Sequence, residues 1–309
     1  MSTARGGAHT NTSEERLLHV LRVGLETCSI GCDQSTSSLD GFVTIIRKRK
    51  RENSARNSGI EFVFENPARP GRLWTQPFME ALTSDVAWVA THTTSYCKYR
   101  SEYRKSTTFV TSLVDVKLLS ECTPQSRCSY SWHEKRHATG VQGQPLEVKY
   151  SVPELLTREL VRAWVEQTPW AKERLFLDVF SGFGSVVNAV KGRADRHPEW
   201  NIQTWANDIN SHVHLNSVID MSLEKSLDML LHCALEEKYP NLKLTVSPDS
   251  WGEYLFTQNT SVLIHLSTPC QTYSTASGNT HNDRNVGLAK EHDDMNTMII
   301  NWLRANSVT

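Results

Sequence analysis

Two residues in this chain have the type and the position that covalent chemistry on a substrate would require. Cys270 follows a short apolar run, residues 261–266, and its polar neighbours favour a reactive cysteine over a core cysteine. A thiolate is a strong nucleophile, and a nearby cation or helix N-terminus lowers the pKa of a thiol. Glu65 likewise follows an apolar run, residues 60–64, and precedes Asn66. The sequence therefore offers a nucleophile and a carboxylate, each at the end of a predicted strand.

A glycine-containing turn at residues 178–184 (DVFSGFG) supplies a third group. Gly182 and Gly184 permit a tight turn and the close approach of a ligand to the backbone. Asp178, at the end of the strand that precedes the glycines, suits a cationic amino-acid moiety better than a pyrophosphate. Asp208 follows the next predicted strand, where a carboxylate can accept hydrogen bonds from ribose hydroxyls. The pattern predicts a site for a nucleoside-type cofactor with a cationic group, with a nucleotide-binding loop or a plain tight βα turn as the alternatives.

The elements that must position these residues alternate along the second half of the chain. A helix is predicted at 153–167. After it, periodicity and apolar runs predict strand 175–180, a helix from 185, strand 204–207, helix 223–237, strands 243–246 and 261–266, and helix 295–303. This alternation is typical of an α/β fold with a doubly wound, mostly parallel sheet. Asp249, after the third of these strands, is a candidate for an adenine pocket, with a plain loop aspartate as the alternative.

Residues 178–184 and 269–271 (PCQ) together resemble the cofactor and nucleophile motifs of the DNA cytosine-C5 methyltransferases. Residues 65–67 (ENP) are similar to the family's Glu-Asn-Val step, and residues 150–156 (YSVPELL) to its closing motif. Asp208 matches the family's ribose-binding carboxylate position. The resemblance implies a Rossmann-like methyltransferase fold, S-adenosylmethionine as the cofactor and DNA as the partner.

The resemblance also implies a role for each matching residue. Cys270 is expected to attack C6 of cytosine, while Glu65 holds the N3 edge and stabilises the protonated ring. C5 then takes the methyl group, and a base removes the C5 proton to release the enzyme. The target base must be flipped out of the duplex or already unpaired. The expected substrate contacts are Asn66, Lys105 and Gln271, and the expected cofactor contacts are Asp178, Phe180, Gly182, Gly184, Asp208 and Asp249.

The order of the motifs differs from the family's usual order, because the Glu step and the closing motif precede the cofactor loop. Cutting the family's chain between its nucleophile and Glu strands, and joining its old ends, produces this order. The chain is therefore predicted to be circularly permuted, with a permuted strand order. The family's Gln-x-Arg-x-Arg motif has no clean match. Arg104 is the nearest candidate for a catalytic arginine, and a basic surface turn is the alternative; overall the chain resembles divergent methyltransferase-like proteins of viruses and mobile elements.

A small loop-rich insertion, residues 110–149, separates the two parts of the expected catalytic domain, residues 42–109 and 150–309. In the family this region recognises the target, and here its basic and aromatic residues suit phosphate contacts and base stacking. Its cysteines and histidines predict a structural zinc site, with free thiols and solvated histidines as the alternative. The expected zinc ligands are Cys122, Cys128, His133 and His137. Residues 1–41 are expected to form a flexible segment with one helix.

Composition limits the remaining possibilities. Of 309 residues, 39% are hydrophobic and 22% charged, which is ordinary for a soluble globular protein. No apolar run has the length that a membrane span requires. Seven cysteines without a secretory signal predict reduced thiols and a location in the nucleus or cytoplasm. Because the net charge is −1, a nucleic-acid surface must be a local patch.

These observations favour a DNA cytosine-C5 methyltransferase and leave two alternatives open. An RNA cytosine-C5 methyltransferase would use the same chemistry, which does not distinguish the sugar. A catalytically silent nucleic-acid-binding protein would keep the sheet without the activity, and the incomplete arginine motif favours that reading. Amino methylation is disfavoured because it calls for an Asp/Asn-Pro-Pro-aromatic step, whereas residues 268–271 read TPCQ.

Overall fold

A computed structural model describes residues 58–68, 72–84, 89–101, 103–122, 145, 147–148, 151–210, 214–242, 244, 248, 250–269, 271–273 and 286–307. The strands within these ranges are β1 (Ile60–Pro67), β2 (Ala90–Ser95), β3 (Ser106–Thr111), β4 (Glu173–Asp178), β5 (Ile202–Ala206) and β6 (Thr260–Leu266). The helices are α1 (Pro77–Ser84), α2 (Glu154–Gln167), α3 (Ser185–Arg196), α4 (Ser226–Lys238), α5 (Trp251–Thr257) and α6 (Gly287–Ser307). Short 3₁₀ helices include Tyr96–Tyr99 and Gln271–Tyr273.

The six described strands form one mixed sheet in the order β2-β3-β1-β6-β4-β5. β1, β6, β4 and β5 are parallel, and β3 runs antiparallel between β1 and β2. The predicted α/β class with a mostly parallel sheet is confirmed. As a consequence, the strand that leads to Cys270 lies between the strand that ends near Glu65 and the strand that ends at Asp178.

Helices cover both faces of this sheet. Phe62 and Phe64 of β1 pack into one hydrophobic cluster with α1, α4, α5 and α6, whereas Val63 packs into a second cluster with α2 and α3. Because the central parallel strands are buried on both faces, their sequences read as nearly continuous apolar runs. A polar side chain within such a strand has to find its partners inside the protein.

The helix bounds show where periodicity succeeds and where it fails. α2 begins one residue after the predicted Pro153 and ends at Gln167 as predicted, whereas α6 extends well beyond the predicted 295–303. The sequence pattern did not predict α5, which has seven residues and is too short for a helical period to be visible. The Ser250 side chain accepts a hydrogen bond from the Glu253 N–H, so a Ser-x-x-Glu capping signature marks this helix instead.

Several predicted segments lie outside the described residues. They are the flexible segment 1–41, the greater part of the insertion at 123–144, and the predicted strand 243–246 apart from residue 244. Within the ranges that the structure covers, no helix is long and apolar enough to cross a membrane.

Candidate functional site

Three polar side chains meet at the carboxyl ends of neighbouring strands. Glu65 of β1, His265 of β6 and Asp178 of β4 are buried, with exposed fractions of 3%, 3% and 1%. The parallel register places His265 opposite Asp178 across β6 and β4, and it pairs Phe64 with Leu266 across β1 and β6. This edge is where open α/β sheets place their ligand sites.

His265 lies between the two carboxylates. Its Nδ1 is 2.9 Å from Asp178 Oδ1, within hydrogen-bond distance, and its Nε2 is 3.8 Å from Glu65 Oε2, an ion-pair distance. Burial by itself lowers the pKa of an imidazole. Here the hydrogen bond and charge of Asp178, together with the charge of Glu65, outweigh burial and raise the pKa of His265. The two carboxylates therefore stabilise the imidazolium form.

Glu65 is held by donors from several parts of the chain. The Tyr96 hydroxyl donates a hydrogen bond to Glu65 Oε1 at 2.5 Å, and Lys105 Nζ lies 3.6 Å from the same oxygen. Burial raises the pKa of a carboxyl group, but Lys105, His265 and the hydrogen bonds of Tyr96 and Ser267 outweigh burial and lower the pKa of Glu65. Glu65 is therefore a carboxylate, the form that accepts a hydrogen bond from a protonated ring nitrogen.

The basic residue beside Glu65 is Lys105, whereas Arg104 points elsewhere. The Arg104 guanidinium lies 3.9 Å from Glu121, and both of these side chains are partly exposed. Lys105 Nζ also lies over the Tyr96 ring, 4.7 Å from its centroid. Because β3 is antiparallel to β1, the turn before β3 lies at the carboxyl end of β1, where Glu65 is. The position of Arg104 therefore fits the alternative, a basic turn on the surface. Lys105, in contrast, contacts the buried Glu65.

The residues that precede Cys270 lie beside the Glu step. Asn66 donates a hydrogen bond from Nδ2 to Thr268 Oγ1 at 3.3 Å, and the Ser267 side chain hydrogen-bonds Glu65. Cys270 itself lies outside the described residues, so its role stays a prediction. The contacts on its N-terminal side nevertheless bring the nucleophile step and the Glu step to the same end of the sheet.

The predicted cofactor loop connects β4 to α3. Gly182 and Gly184 have φ angles of 51° and 74°, a left-handed conformation that glycine adopts without strain. A Cβ at Gly184 would lie 2.7 Å from the His214 ring, so the backbone is closely packed there. The Gly182 N–H donates a hydrogen bond to Asp208 Oδ2 at 2.9 Å, which ties the loop to the end of β5.

One oxygen of Asp178 is left for a ligand. Oδ1 is bonded to His265, whereas Oδ2 is buried and has no hydrogen-bond partner among the described residues. A buried carboxylate oxygen costs free energy unless a donor or cation reaches it, which fits the amino group expected of S-adenosylmethionine. The oxygens of Asp208 accept hydrogen bonds from the Gly182 and Asn210 N–H groups. Oδ1 also accepts a hydrogen bond from Asn210 Nδ2, whereas Oδ2 keeps a second acceptor position that suits a ribose hydroxyl.

The remaining predicted ligands are spread more widely. Phe180 is partly buried and packs against the hydrophobic cluster of β1 and α4. Asp249 and the Gln271 side chain lie outside the described residues. Their assigned contacts with the cofactor and the substrate stay predictions.

The predicted zinc site also lies mostly beyond the described ranges, which exclude Cys128, His133 and His137. Cys122 is buried and forms a small cluster with Cys97. In the part of the chain that the structure describes, no group of three or more His, Cys, Asp or Glu side chains could hold a metal ion. Zinc therefore stays a prediction.

Two residues of this site were not indicated by the sequence pattern. His265 interrupts an otherwise apolar run, residues 262–266 (VLIHL), and a titratable group in a doubly buried strand is a signal that could have found it. Tyr96 has no such signal. It contacts Glu65 because the 3₁₀ helix Tyr96–Tyr99 follows β2 at this end of the sheet.

No family model, curated protein or solved structure matches this chain. The function has to be argued from the residues of the site. Those residues place a carboxylate held by Lys105 and His265 next to the residues that precede Cys270. A second carboxylate, one oxygen of which has no partner among the described residues, lies next to a glycine loop. This arrangement can polarise a basic heterocycle on one side and bind a cation on the other.

Proposed function

We propose that this protein transfers a methyl group from S-adenosylmethionine to C5 of cytosine in DNA through a covalent adduct with Cys270. The observation that carries the proposal is that three sequence motifs meet at the carboxyl ends of β1, β6 and β4. They are the motif with Glu65, the residues before Cys270, and the glycine loop after Asp178. Asn66 and Thr268 are hydrogen-bonded although 202 positions separate them. Their contact supports a shared pocket for the nucleophile of the last fifth of the chain and the carboxylate of the first quarter.

In this proposal Glu65 binds the N3 edge of the flipped cytosine. An ionised Glu65 accepts a hydrogen bond from protonated N3, which withdraws electrons from the ring and makes C6 susceptible to the Cys270 thiolate. Lys105 and Tyr96 hold the carboxylate in place, and the lowered pKa of Glu65 supports this role. After C5 has taken the methyl group, a base removes the C5 proton. The C6–S bond then breaks to regenerate the free thiolate, and N3 gives up its proton to leave neutral 5-methylcytosine.

On the donor side, Asp178 would bind the amino group through Oδ2, and Asp208 would bind the ribose hydroxyls. When bound, S-adenosylmethionine supplies an electrophilic methyl group on a sulfonium. Gly182, which has open space where a Cβ would stand, leaves the loop backbone open to a close approach, and Phe180 adds apolar surface next to the loop. The unpartnered Asp178 oxygen is the feature that supports this assignment most directly.

We further propose that the domain is a circularly permuted Rossmann-like methyltransferase fold. A cut between the nucleophile strand and the Glu strand would leave these two strands side by side in the sheet, because permutation changes the connections and keeps the packing. β6 and β1 are parallel neighbours. α2, which begins within the closing motif, leads into β4 with only a short connection, as a join of the old ends would require.

A nucleic acid containing 5-fluorocytosine tests the proposed function. Because fluorine replaces the C5 hydrogen, no proton can be removed from C5, and the covalent adduct persists after methyl transfer. We expect a protein–DNA complex that survives denaturation, requires S-adenosylmethionine and is absent for Cys270→Ala. Cys233→Ala, which removes an exposed cysteine on α4, is the matched control and should retain the complex.

The outcomes of this experiment separate the competing functions. A complex with RNA and none with DNA would favour the RNA enzyme. Methyl transfer that persists in Cys270→Ala would indicate amino methylation and contradict the proposal. Donor binding without transfer to either polymer would favour the catalytically silent protein.

A further inference from the structure

His265 is a buried residue that links the two halves of the site and that the reaction above does not use. Asp178 faces it from β4 and Glu65 faces it from β1, and the Phe176 ring stacks on it with centroids 6.2 Å apart. Among the described residues, the charged and titratable groups beyond Glu65 include Lys105, Tyr96 and Tyr103. Among the described side chains, the His265 imidazole therefore contacts both Asp178, which we assign to the methyl donor, and Glu65, which we assign to the cytosine.

We propose that His265 is a positioning residue that couples occupancy of the donor pocket at Asp178 to the electrostatics of Glu65. The inference rests on the proposed function, because it takes Asp178 as the anchor of the donor's amino group. An imidazolium on one oxygen of Asp178 and an ammonium on the other oxygen repel each other. Donor binding therefore favours loss of the His265 proton, and protonation of His265 weakens donor binding by the same factor.

Loss of the His265 proton also changes the charge around Glu65, where the cytosine is proposed to bind. Loss of the His265 proton removes a cation 3.8 Å from Glu65 Oε2 and leaves Lys105 as the nearby cation. The Glu65 carboxylate then has less competition for the hydrogen bond from a protonated N3. In this way, binding of the methyl donor prepares the pocket at Glu65 for the cytosine.

The test is the affinity for S-adenosylmethionine as a function of pH, measured by calorimetry on the full chain between about pH 6 and about pH 9. The donor's own amino group titrates in this range, but it does so equally for every variant. The ratio of the Kd of the wild type to the Kd of His265→Gln therefore isolates the histidine. We expect this ratio to fall by about fivefold or more as the pH rises, which is the usual size of such a coupling.

Two further variants sharpen the test. His232→Gln changes a half-buried histidine on α4 whose side chain is 34% exposed, and it should follow the wild type at every pH. Glu65→Gln removes one of the two anions that stabilise the imidazolium, so it should shift the midpoint of the pH dependence to lower pH. A merely structural role for His265 would produce no such shift.

A second measurement remains decisive even if His265→Gln does not fold. At about pH 6.5, where the donor's amino group stays protonated, binding to the wild type should release protons, visible as a heat that depends on the ionisation enthalpy of the buffer. Binding without proton release, or a Kd ratio that is flat with pH, would overturn the coupling while leaving the methyltransferase proposal intact. Failure of all variants to bind the donor would instead contradict the proposed function itself.

Discussion

At the scale of single residues, strand β1 carries two buried glutamates whose pKa values shift in opposite directions. Glu65 is surrounded by Lys105, His265 and Tyr96, which lower its pKa. Glu61, near the other end of the strand, has hydrogen bonds from neutral groups only, and burial raises its pKa to about 8. The difference arises because compensating cations are present at the carboxyl end of the sheet, where a charged group can serve a substrate.

The role of Lys105 can be tested against that of Arg104. Lys105→Gln removes the cation 3.6 Å from Glu65 Oε1, and we expect it to slow adduct formation by about tenfold to 100-fold, as loss of an electrostatic contact in an active site does. Arg104→Gln breaks a partly exposed ion pair with Glu121 and should cause a smaller loss. Single-turnover rates of the 5-fluorocytosine complex compare the two. A larger loss for Arg104→Gln would assign the catalytic cation to the arginine after all.

Glu61 predicts a pH dependence of stability. The unfolded chain releases the glutamate proton above the ordinary pKa of 4.5, whereas the folded protein keeps it up to about pH 8. The contribution of Glu61 therefore falls as the pH rises through this window, by up to roughly 1.4 kcal/mol per pH unit. Glu61→Gln should flatten the curve, as measured by urea unfolding at several pH values. Parallel curves for the two proteins would show that the carboxyl group does not retain its proton.

At the scale of elements, β6 organises the site because it is paired on both sides by parallel strands. Its pairing with β1 sets the Glu step beside the residues before Cys270, and its pairing with β4 sets His265 beside Asp178. A slip of the register by one residue would turn His265 to the opposite face of the sheet. The loop after β4 and the helix α3 would then complete the proposed donor side.

Two glycines of this region predict opposite effects of the same substitution. Gly184→Ala places a side chain at a φ of 74° and against the His214 ring, so it should destabilise the fold by about 1 kcal/mol and weaken donor binding. Gly192→Ala, within α3 and with open space around its Cβ, should stabilise the protein by about 0.5–1 kcal/mol. Denaturant unfolding and donor titration measure both effects. Equal changes in stability for the two substitutions would contradict the close packing of the loop at Gly184.

At the scale of the whole molecule, the described sheet is most deeply buried at its centre. β6 has a strand on each side and helices on both faces, and all of its residues are buried. β2 ends the described sheet, and its first four residues, 90–93, alternate between partly buried and exposed. The central strands should therefore open only with global unfolding.

Amide hydrogen exchange checks this arrangement. We expect the amides of β6 to exchange slowest, with an opening free energy close to that of global unfolding, and those of β2 to exchange markedly faster. The same experiment with S-adenosylmethionine should slow exchange in the loop after β4. Equal protection of β2 and β6 would mean that β2 is covered by a further part of the molecule.

The sequence by itself determined the α/β class, the strands that carry Glu65 and Asp178, and the helix α2, because apolar runs and helical periods are local properties. It also named the chemical types available, a thiol, two carboxylates and a glycine loop. Only the tertiary structure decided that His265 lies between Glu65 and Asp178 and that Lys105, rather than Arg104, neutralises Glu65. Strand pairing and register join residues that are far apart in the chain, and no local pattern specifies which side chains will face each other.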